Sequence, residues 1–410
     1  MKKLFVFLAA AALTLSCTTA PAPTIPDNLA GTWSGIIEDL GLALTLHLGD
    51  TCTVDSPDQG AFGLKAEVKE ISEESVDVKF PEFHADLKAT LQGDSLVGTF
   101  HQLVIKKRIA MARGPLVRNR PQTPVPPFPY ETEEVRFDSG DIALAGTWTL
   151  PDSPRDVPVV VMVSGSGQQD RDETLKDHKP FAVLADALAR AGIPSLRYDD
   201  RGCGGSAGVF ADATTADFAS DAASAVRFLR DKGYTKIGVL GHSEGGIIAF
   251  LLAGAETPDA GTPDFIISLA GMADRGDSTL LRQTAKMLQL QGAPEKVAAF
   301  AAKKMYKKIL KQKSVWMDYF VTMDPAPYVS RISCPFLALN GSLDTQVLPE
   351  YNLDRIQALC PSADCRLYPG LNHLFQPCET GLSAEYANIE ETMSEEVIAD
   401  IVAWIQRIPD

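Results

Sequence analysis

Between residues 157 and 340 the chain alternates short apolar runs with longer helical stretches, and this constrains its fold more than any other feature. Val157-Pro-Val-Val-Val-Met-Val163 leads to a helical stretch over 180–192. Ile193-Pro-Ser-Leu-Arg-Tyr198 leads to a helix over 216–232, and Lys236-Ile-Gly-Val-Leu240 to a helix over 246–254. Asp264-Phe-Ile-Ile-Ser-Leu-Ala270 and Pro335-Phe-Leu-Ala-Leu-Asn340 continue the series. Apolar runs of this length are strands buried on both faces, and strands alternating with helices specify an α/β fold: a mostly parallel sheet covered by helices on both sides. Residues 272–327, rich in Ala, Lys, Leu and Met and without a strand signal, read as a helical cap inserted over the strand ends.

A different texture precedes this region. Within residues 27–113, Thr32-Trp-Ser-Gly-Ile-Ile37, Leu42-Ala-Leu-Thr-Leu-His-Leu48, Val76-Asp-Val-Lys-Phe80 and Leu96-Val-Gly-Thr-Phe100 are short segments of strand periodicity broken by Gly, Asp and Pro. They predict a small all-β domain, a barrel or sandwich. The proline-rich residues 114–130 predict a stiff extended linker, which leaves 131–410 to the α/β domain. A length of 410 residues is too great for one ordinary domain.

Residues 1–16 carry Lys2 and Lys3 followed by an apolar stretch over 4–15, a signal-peptide layout too short to span a membrane. Cys17 follows a small residue at the cleavage point, an arrangement that resembles a bacterial lipoprotein signal. The resemblance implies that Cys17 becomes the lipidated first residue of an exported protein, periplasmic or anchored at the outer membrane. Membrane contact is then expected only through that anchor. A net charge of −15 offers no basic footprint for nucleic acid. The one basic run, Lys303 to Lys313, reads as a solvated helix face. Cys52, Cys203, Cys334, Cys360, Cys365 and Cys378 are open to oxidation in an exported protein, with Cys360 and Cys365 the nearest local pair. The six histidines are scattered and no metal-ligand spacing is present, so neither metal nor cofactor is expected.

Gly241-His242-Ser243-Glu244-Gly245 has the form G-x-S-x-G and lies between a strand and a helix, the context of a nucleophile elbow. A serine hydroxyl needs a base to take its proton, and the base needs a third group to fix its tautomer. On an elbow-bearing sheet these follow in the order serine, acid, histidine. Downstream of Ser243 the only histidine is His373. Asp344 directly follows an apolar strand, at the carboxyl end where such sheets bind ligands, and is favoured over Asp318, Asp324, Asp354 and Asp364. The oxyanion donors are expected at Glu244, the residue after the serine, and at Ser166 and Gly167 in the glycine-bearing loop after the strand at 157–163. Cap residues Trp316, Tyr319, Phe320 and Met323 are candidates both for the substrate pocket and for the cap's own core.

With these residues in place, 131–410 resembles the α/β-hydrolases. Ser164-Gly-Ser-Gly-Gln-Gln-Asp-Arg-Asp172, Leu196-Arg-Tyr-Asp-Asp-Arg-Gly-Cys-Gly-Gly-Ser206 and Leu371-Asn-His-Leu-Phe-Gln376 narrow the likeness to bacterial exported carboxylesterases of the dienelactone-hydrolase and acyl-peptidase-like branch. Members of that branch often carry an amino-terminal β domain with a tract like Asp55-Ser-Pro-Asp-Gln-Gly60. The resemblance implies an α/β-hydrolase fold, Ser243 as nucleophile, Asp344 as acid, His373 as base, hydrolysis of short acyl esters, and a bracing role for the Asp199-Asp200-Arg201-Gly202 turn. The oxyanion loop has Ser164-Gly165 where His-Gly is commoner. A peptidase or thioesterase would use the same triad, although a β domain of this size is too small for a propeller that recognises a substrate amine. A non-catalytic, surface-binding lipoprotein is the third reading, disfavoured by an intact set of three residues.

Overall fold

A computed structural model of the protein describes residues 24–59, 61–103, 105–152 and 157–408. The signal segment 1–16 and the lipidation candidate Cys17 lie outside the described residues. The chain divides into two compact units, one holding the residues up to Asn119 with Ser383–Asn388, the other Arg120–Leu382 and the residues from Ile389 onward.

The first unit is all β. Its strands are β1 (Gly31–Ile37), β2 (Leu42–Leu48), β3 (Thr53–Ser56), β4 (Ala61–Lys65), β5 (Glu67–Ile71), β6 (Ser75–Phe80), β7 (Ala85–Gln92), β8 (Ser95–Gln102) and β9 (Ile105–Arg113). They form one nine-stranded antiparallel sheet in the order β4-β3-β2-β1-β9-β8-β7-β6-β5. The edge strands β4 and β5 follow each other in the chain with only Ala66 between them, so the sheet is curled and barrel-like. Trp33, Leu46, Leu87, Leu96 and Ile109 fill its core, and the Trp33 indole N–H donates to Leu29 O at 2.8 Å, satisfying the polar end of a fully buried ring. The sequence reading found β1, β2, β6 and β8. It did not pick out β3, β4, β5, β7 or β9; in β9, Lys106, Lys107 and Arg108 break the apolar run although Ile109 and Met111 are buried.

The second unit is α/β. Strands β10 (Glu131–Ser139), β11 (Ile142–Leu150), β12 (Val159–Val163), β13 (Ser195–Tyr198), β14 (Ile237–His242), β15 (Phe265–Leu269), β16 (Phe336–Gly341) and β17 (Asp364–Tyr368) form an eight-stranded sheet in the order β10-β11-β13-β12-β14-β15-β16-β17. β10, β11 and β13 pair antiparallel, and every later pairing is parallel. The helices are α1 (Pro180–Arg190), α2 (Thr215–Asp231), α3 (Glu244–Ala253), α4 (Gly276–Leu290), α5 (Glu295–Ile309), α6 (Val315–Phe320), α7 (Ala326–Val329), α8 (Pro349–Leu359) and α9 (Glu395–Ile405).

Strand β12 shows why an unbroken apolar run is needed. Val159, Val161 and Val163 pack into a core with residues of α2, α3 and α8, while Val160 and Met162 pack into a second core with α1 and α9. Each such side chain contributes about 1.5–3 kcal/mol on burial. The β10–β11 hairpin was not anticipated, although Ser139-Gly140-Asp141 between two alternating runs is a turn signal. Helices α4 to α7 occupy the stretch read as a cap. On α5 Lys303, Lys304, Lys307 and Lys308 are exposed and only Ala298 and Ala302 are buried, a solvated face as expected. Cys360 and Cys365 are not joined: both thiols are free, and Cys360 Sγ lies 3.4 Å from Ser362 Oγ at the end of α8 while Cys365 is held in β17 by its pairing with Ala338. No helix among the described residues is long and apolar enough to cross a membrane.

Candidate active site

Ser243 stands between the end of β14 and the first residue of α3 with φ 54° and ψ −113°. A non-glycine residue enters this region only at a cost of the order of 1–3 kcal/mol, so the surrounding structure must hold it there. Its N–H donates to Leu269 O at 2.8 Å, and its carbonyl accepts from Gly246 N at 3.0 Å. The flanking glycines are required by space. A Cβ on Gly241 would lie 2.0 Å from Gly245 O, and one on Gly245 would lie 2.1 Å from Val163 O.

Asp344 follows β16, and His373 lies in the loop after β17. They meet: His373 Nδ1 donates to Asp344 Oδ2 at 2.7 Å, with both side chains buried. The same carboxylate accepts from the backbone N–H of Gln346 and of Val347, each at 2.8 Å, and from Asn340 Nδ2 at 3.0 Å, so its orientation is fixed before it meets the imidazole. With Nδ1 donating, the tautomer leaves Nε2 free to accept a proton. Of the competing acids, Asp364 is taken by Arg366 at 2.7 Å. Ser243 and His373 both line a pocket of about 240 Å³.

The loop after β12 is hung on two carboxylates, Glu173 and Asp200. Gly165 N–H donates to Glu173 Oε1 at 2.7 Å, and Ser164 Oγ donates to Asp200 Oδ1 and Gln169 N–H to Asp200 Oδ2, both at 2.9 Å. With Gly165 N–H committed, the Ser166 and Gly167 amides are the remaining candidates on this loop. Ser166 lines the pocket, whereas Gly167 is exposed and is not among its lining residues. Glu244, whose own N–H opens α3, accepts from Thr215 Oγ1 at 2.6 Å and from the Trp316 indole N–H at 2.8 Å. Burial pushes its carboxyl upward from the usual range, against these hydrogen bonds. Burial likewise raises Asp200 to about 7, against the donors from Gln169 and Ser164. Trp316 and Phe320 line the pocket, stacked 4.8 Å apart, and also join the cap core. Tyr319 and Met323 pack in that core and do not line the pocket.

The reading of the sequence missed two residues. His242 Nδ1 faces Glu173 Oε1 at 2.8 Å, and its Nε2 faces the His373 carbonyl at 3.0 Å. Both partners are acceptors, so both ring nitrogens must donate and the imidazole is a cation. Burial pulls the His242 pKa down, but Glu173 and the His373 carbonyl together outweigh it and leave the value raised. One carboxylate thus ties the loop at Gly165 to the loop that carries His373, through an ion pair that is neutral overall. Nothing in the local sequence could have shown this, since Glu173 and His242 are 69 positions apart. The positive φ of Glu173, 53°, likewise leaves no sequence signal. Among the described residues no cluster of His, Cys, Asp or Glu is arranged to hold a metal ion.

The chain is similar to several known proteins. The model of a family described as serine aminopeptidase, S33, matches residues 176–377. An esterase of Thermotoga maritima, named EstD, is 27% identical over 297 residues, which cover 68% of this chain and 70% of that protein. Among solved structures, an esterase of Pyrococcus furiosus is 18% identical with a TM-score of 0.46, covering 72% of this chain and 99% of its own. The Est1E protein of Butyrivibrio proteoclasticus bound to ferulic acid is 18% identical with a TM-score of 0.45, covering 67% of this chain and 100% of its own. A sheet that is antiparallel at one edge and parallel thereafter, a strained serine between strand and helix, and acid and histidine following it in chain order are the marks of one architecture: the second unit has the α/β-hydrolase fold.

Proposed function

We propose that the protein is a serine esterase that cleaves short-chain carboxylic esters through an acyl-enzyme. The observation that carries this reading is the 2.7 Å bond between His373 Nδ1 and Asp344, in a chain whose strained Ser243 opens on the same pocket as His373. Ser243 Oγ attacks the ester carbonyl while His373 Nε2 takes its proton, and Asp344 holds the imidazolium that forms. The tetrahedral oxyanion is received by the N–H of Glu244 and by that of Ser166 or Gly167. His373 returns the proton to the leaving alcohol, and water then releases the acid from Ser243. The relative named an esterase supports the same chemistry.

A peptidase reading is favoured by the description of the matched family. It needs an acidic group to hold a substrate ammonium, and the one carboxylate that lines the pocket, Glu173, is already matched by His242. A thioesterase would use the same groups. Hydrolysis of p-nitrophenyl esters of increasing acyl length tests the assignment: turnover falling steeply beyond short chains and lost in Ser243→Ala supports it, and folded protein that cleaves aminoacyl amides or acyl thioesters but no oxygen ester overturns it. We also infer export, with lipidation at Cys17, from the first seventeen residues alone.

A further inference from the structure

Helix α5 turns most of its side chains to solvent, since only Ala298 and Ala302 are buried on it. Lys296, Lys303, Lys304, Lys307, Lys308 and, just past its end, Lys311 are exposed. None of the six forms an ion pair among the described residues. Between Lys296 and Met317 the sequence holds no Asp or Glu, although acids outnumber bases 53 to 38 over the whole chain. Cations are favoured at the carboxyl end of a helix, which accounts for Lys307 and Lys308. It does not account for Lys296, in the first turn, where the helix dipole opposes a cation.

Two large apolar side chains stand among these charges. Val297 is 56% exposed and Phe300 62%. Positions 296, 300, 303, 304 and 307 recur at intervals of three and four residues, so Phe300 shares one face of the helix with lysines on both sides, and Lys304 Nζ lies 4.6 Å from the centre of its ring. An exposed apolar residue by itself is ordinary. A phenyl ring and a valine amid six unpaired lysines fit a partner that is both anionic and apolar. A bilayer containing anionic lipid is such a partner: its phosphates meet the ammonium groups, and the region beneath them takes the ring while the lysine stems lie along the surface. A nucleic acid offers phosphates but is held along a cationic groove, whereas α5 presents a single convex face.

We propose that α5 is a membrane-contact helix, which lies on a bilayer containing anionic phospholipid with Phe300 and Val297 entering the headgroup region and the lysines on its phosphates. The contact is separate from the ester chemistry and from the anchor at Cys17. Salt screens exposed charges, so α5 alone gives weak, reversible binding. Stable attachment takes two signals, and beside a lipid anchor this face is the second.

The test measures vesicle binding by the chain from residue 18 onward, which holds every described residue and carries neither the signal segment nor a lipid. Vesicles of phosphatidylcholine alone are compared with vesicles containing about one third phosphatidylglycerol, at low salt and at about 0.5 M salt. At low salt the protein is expected to bind the anionic vesicles at least about tenfold more tightly than the neutral ones, and to leave them at high salt. Lys303→Gln combined with Lys307→Gln is expected to weaken that binding by about 10- to 30-fold. Phe300→Ser is expected to weaken it severalfold. All three positions are exposed, so the melting temperature and the hydrolysis of soluble esters are expected to stay those of the wild type. Equal binding to both kinds of vesicle, or binding to neither, overturns the proposal. Anionic binding that survives the paired lysine substitutions in folded protein overturns the role of α5. A Phe300→Ser variant that binds as the wild type does, or dextran sulfate bound as tightly as the vesicles, marks a site for polyanions and overturns the lipid assignment.

Discussion

Ser243 is strained before any substrate arrives, and the side chains around it are held by groups that do not themselves react. Glu173 is the clearest of these. Its carboxylate fixes Gly165 N–H and the His242 cation, and His242 in turn holds the backbone of His373. Glu173→Gln keeps the volume and removes the charge, so it is expected to lower kcat by about 10- to 100-fold with a smaller change in KM, the pattern of a positioning residue. Steady-state kinetics on p-nitrophenyl acetate check it, and an unchanged kcat would dissolve the link between the two loops. Asp200 carries a pH signature. Its folded pKa, about 7, lies above the usual value of 3.8, so the native state binds the extra proton and its contribution to stability is full below pH ~4 and lost as pH rises through 7. The loss is on the order of a few kcal/mol. Asp200→Asn is expected to flatten that part of the Tm profile between pH 4 and 8, and thermal melts across this range decide the matter.

Among the elements, the cap and the elbow share a hydrogen bond. The Trp316 indole on α6 donates to the side chain of Glu244, whose backbone N–H is the proposed oxyanion donor. Trp316→Phe keeps the ring stack with Phe320 but removes this donor from a buried carboxyl, so kcat/KM on short esters is expected to fall by about 5- to 30-fold, as a lost hydrogen bond of about 1–2 kcal/mol implies. A value unchanged within twofold would show that the cap does not steady the elbow. The same elements show what the sequence could reveal. The strand β14, the turn at Ser243 and the helix α3 are contiguous, so apolar runs and two glycines expose them. His373 could be found because chain order and elimination left no other base. The hairpin of β10 and β11 stayed hidden because the charged, mostly exposed residues of β10 mimic a polar loop. Glu173 stayed hidden because its partners, Gly165, His242 and the loop of His373, converge only when β12, β14 and β17 are brought together by the sheet. Long-range pairing of single polar atoms has no periodicity for a sequence to display.

At the scale of the whole molecule, a net charge of −15 and a neutral pocket fit a small uncharged substrate better than a polyanion. On the proposal of export, Cys17→Ala is expected to move the protein from the membrane fraction to the soluble fraction of a bacterial host while hydrolysis of soluble esters is retained. A membrane fraction unchanged by the substitution would refute the anchor. The central claim is that Ser243 is a nucleophile activated by His373, and intact-mass and peptide mass spectrometry after reaction with a fluorophosphonate tests it most directly. A single adduct on the peptide containing Ser243, absent in Ser243→Ala and slowed at least about a hundredfold in His373→Gln, is the predicted result. An adduct on another residue, or none on folded wild-type protein, would contradict it.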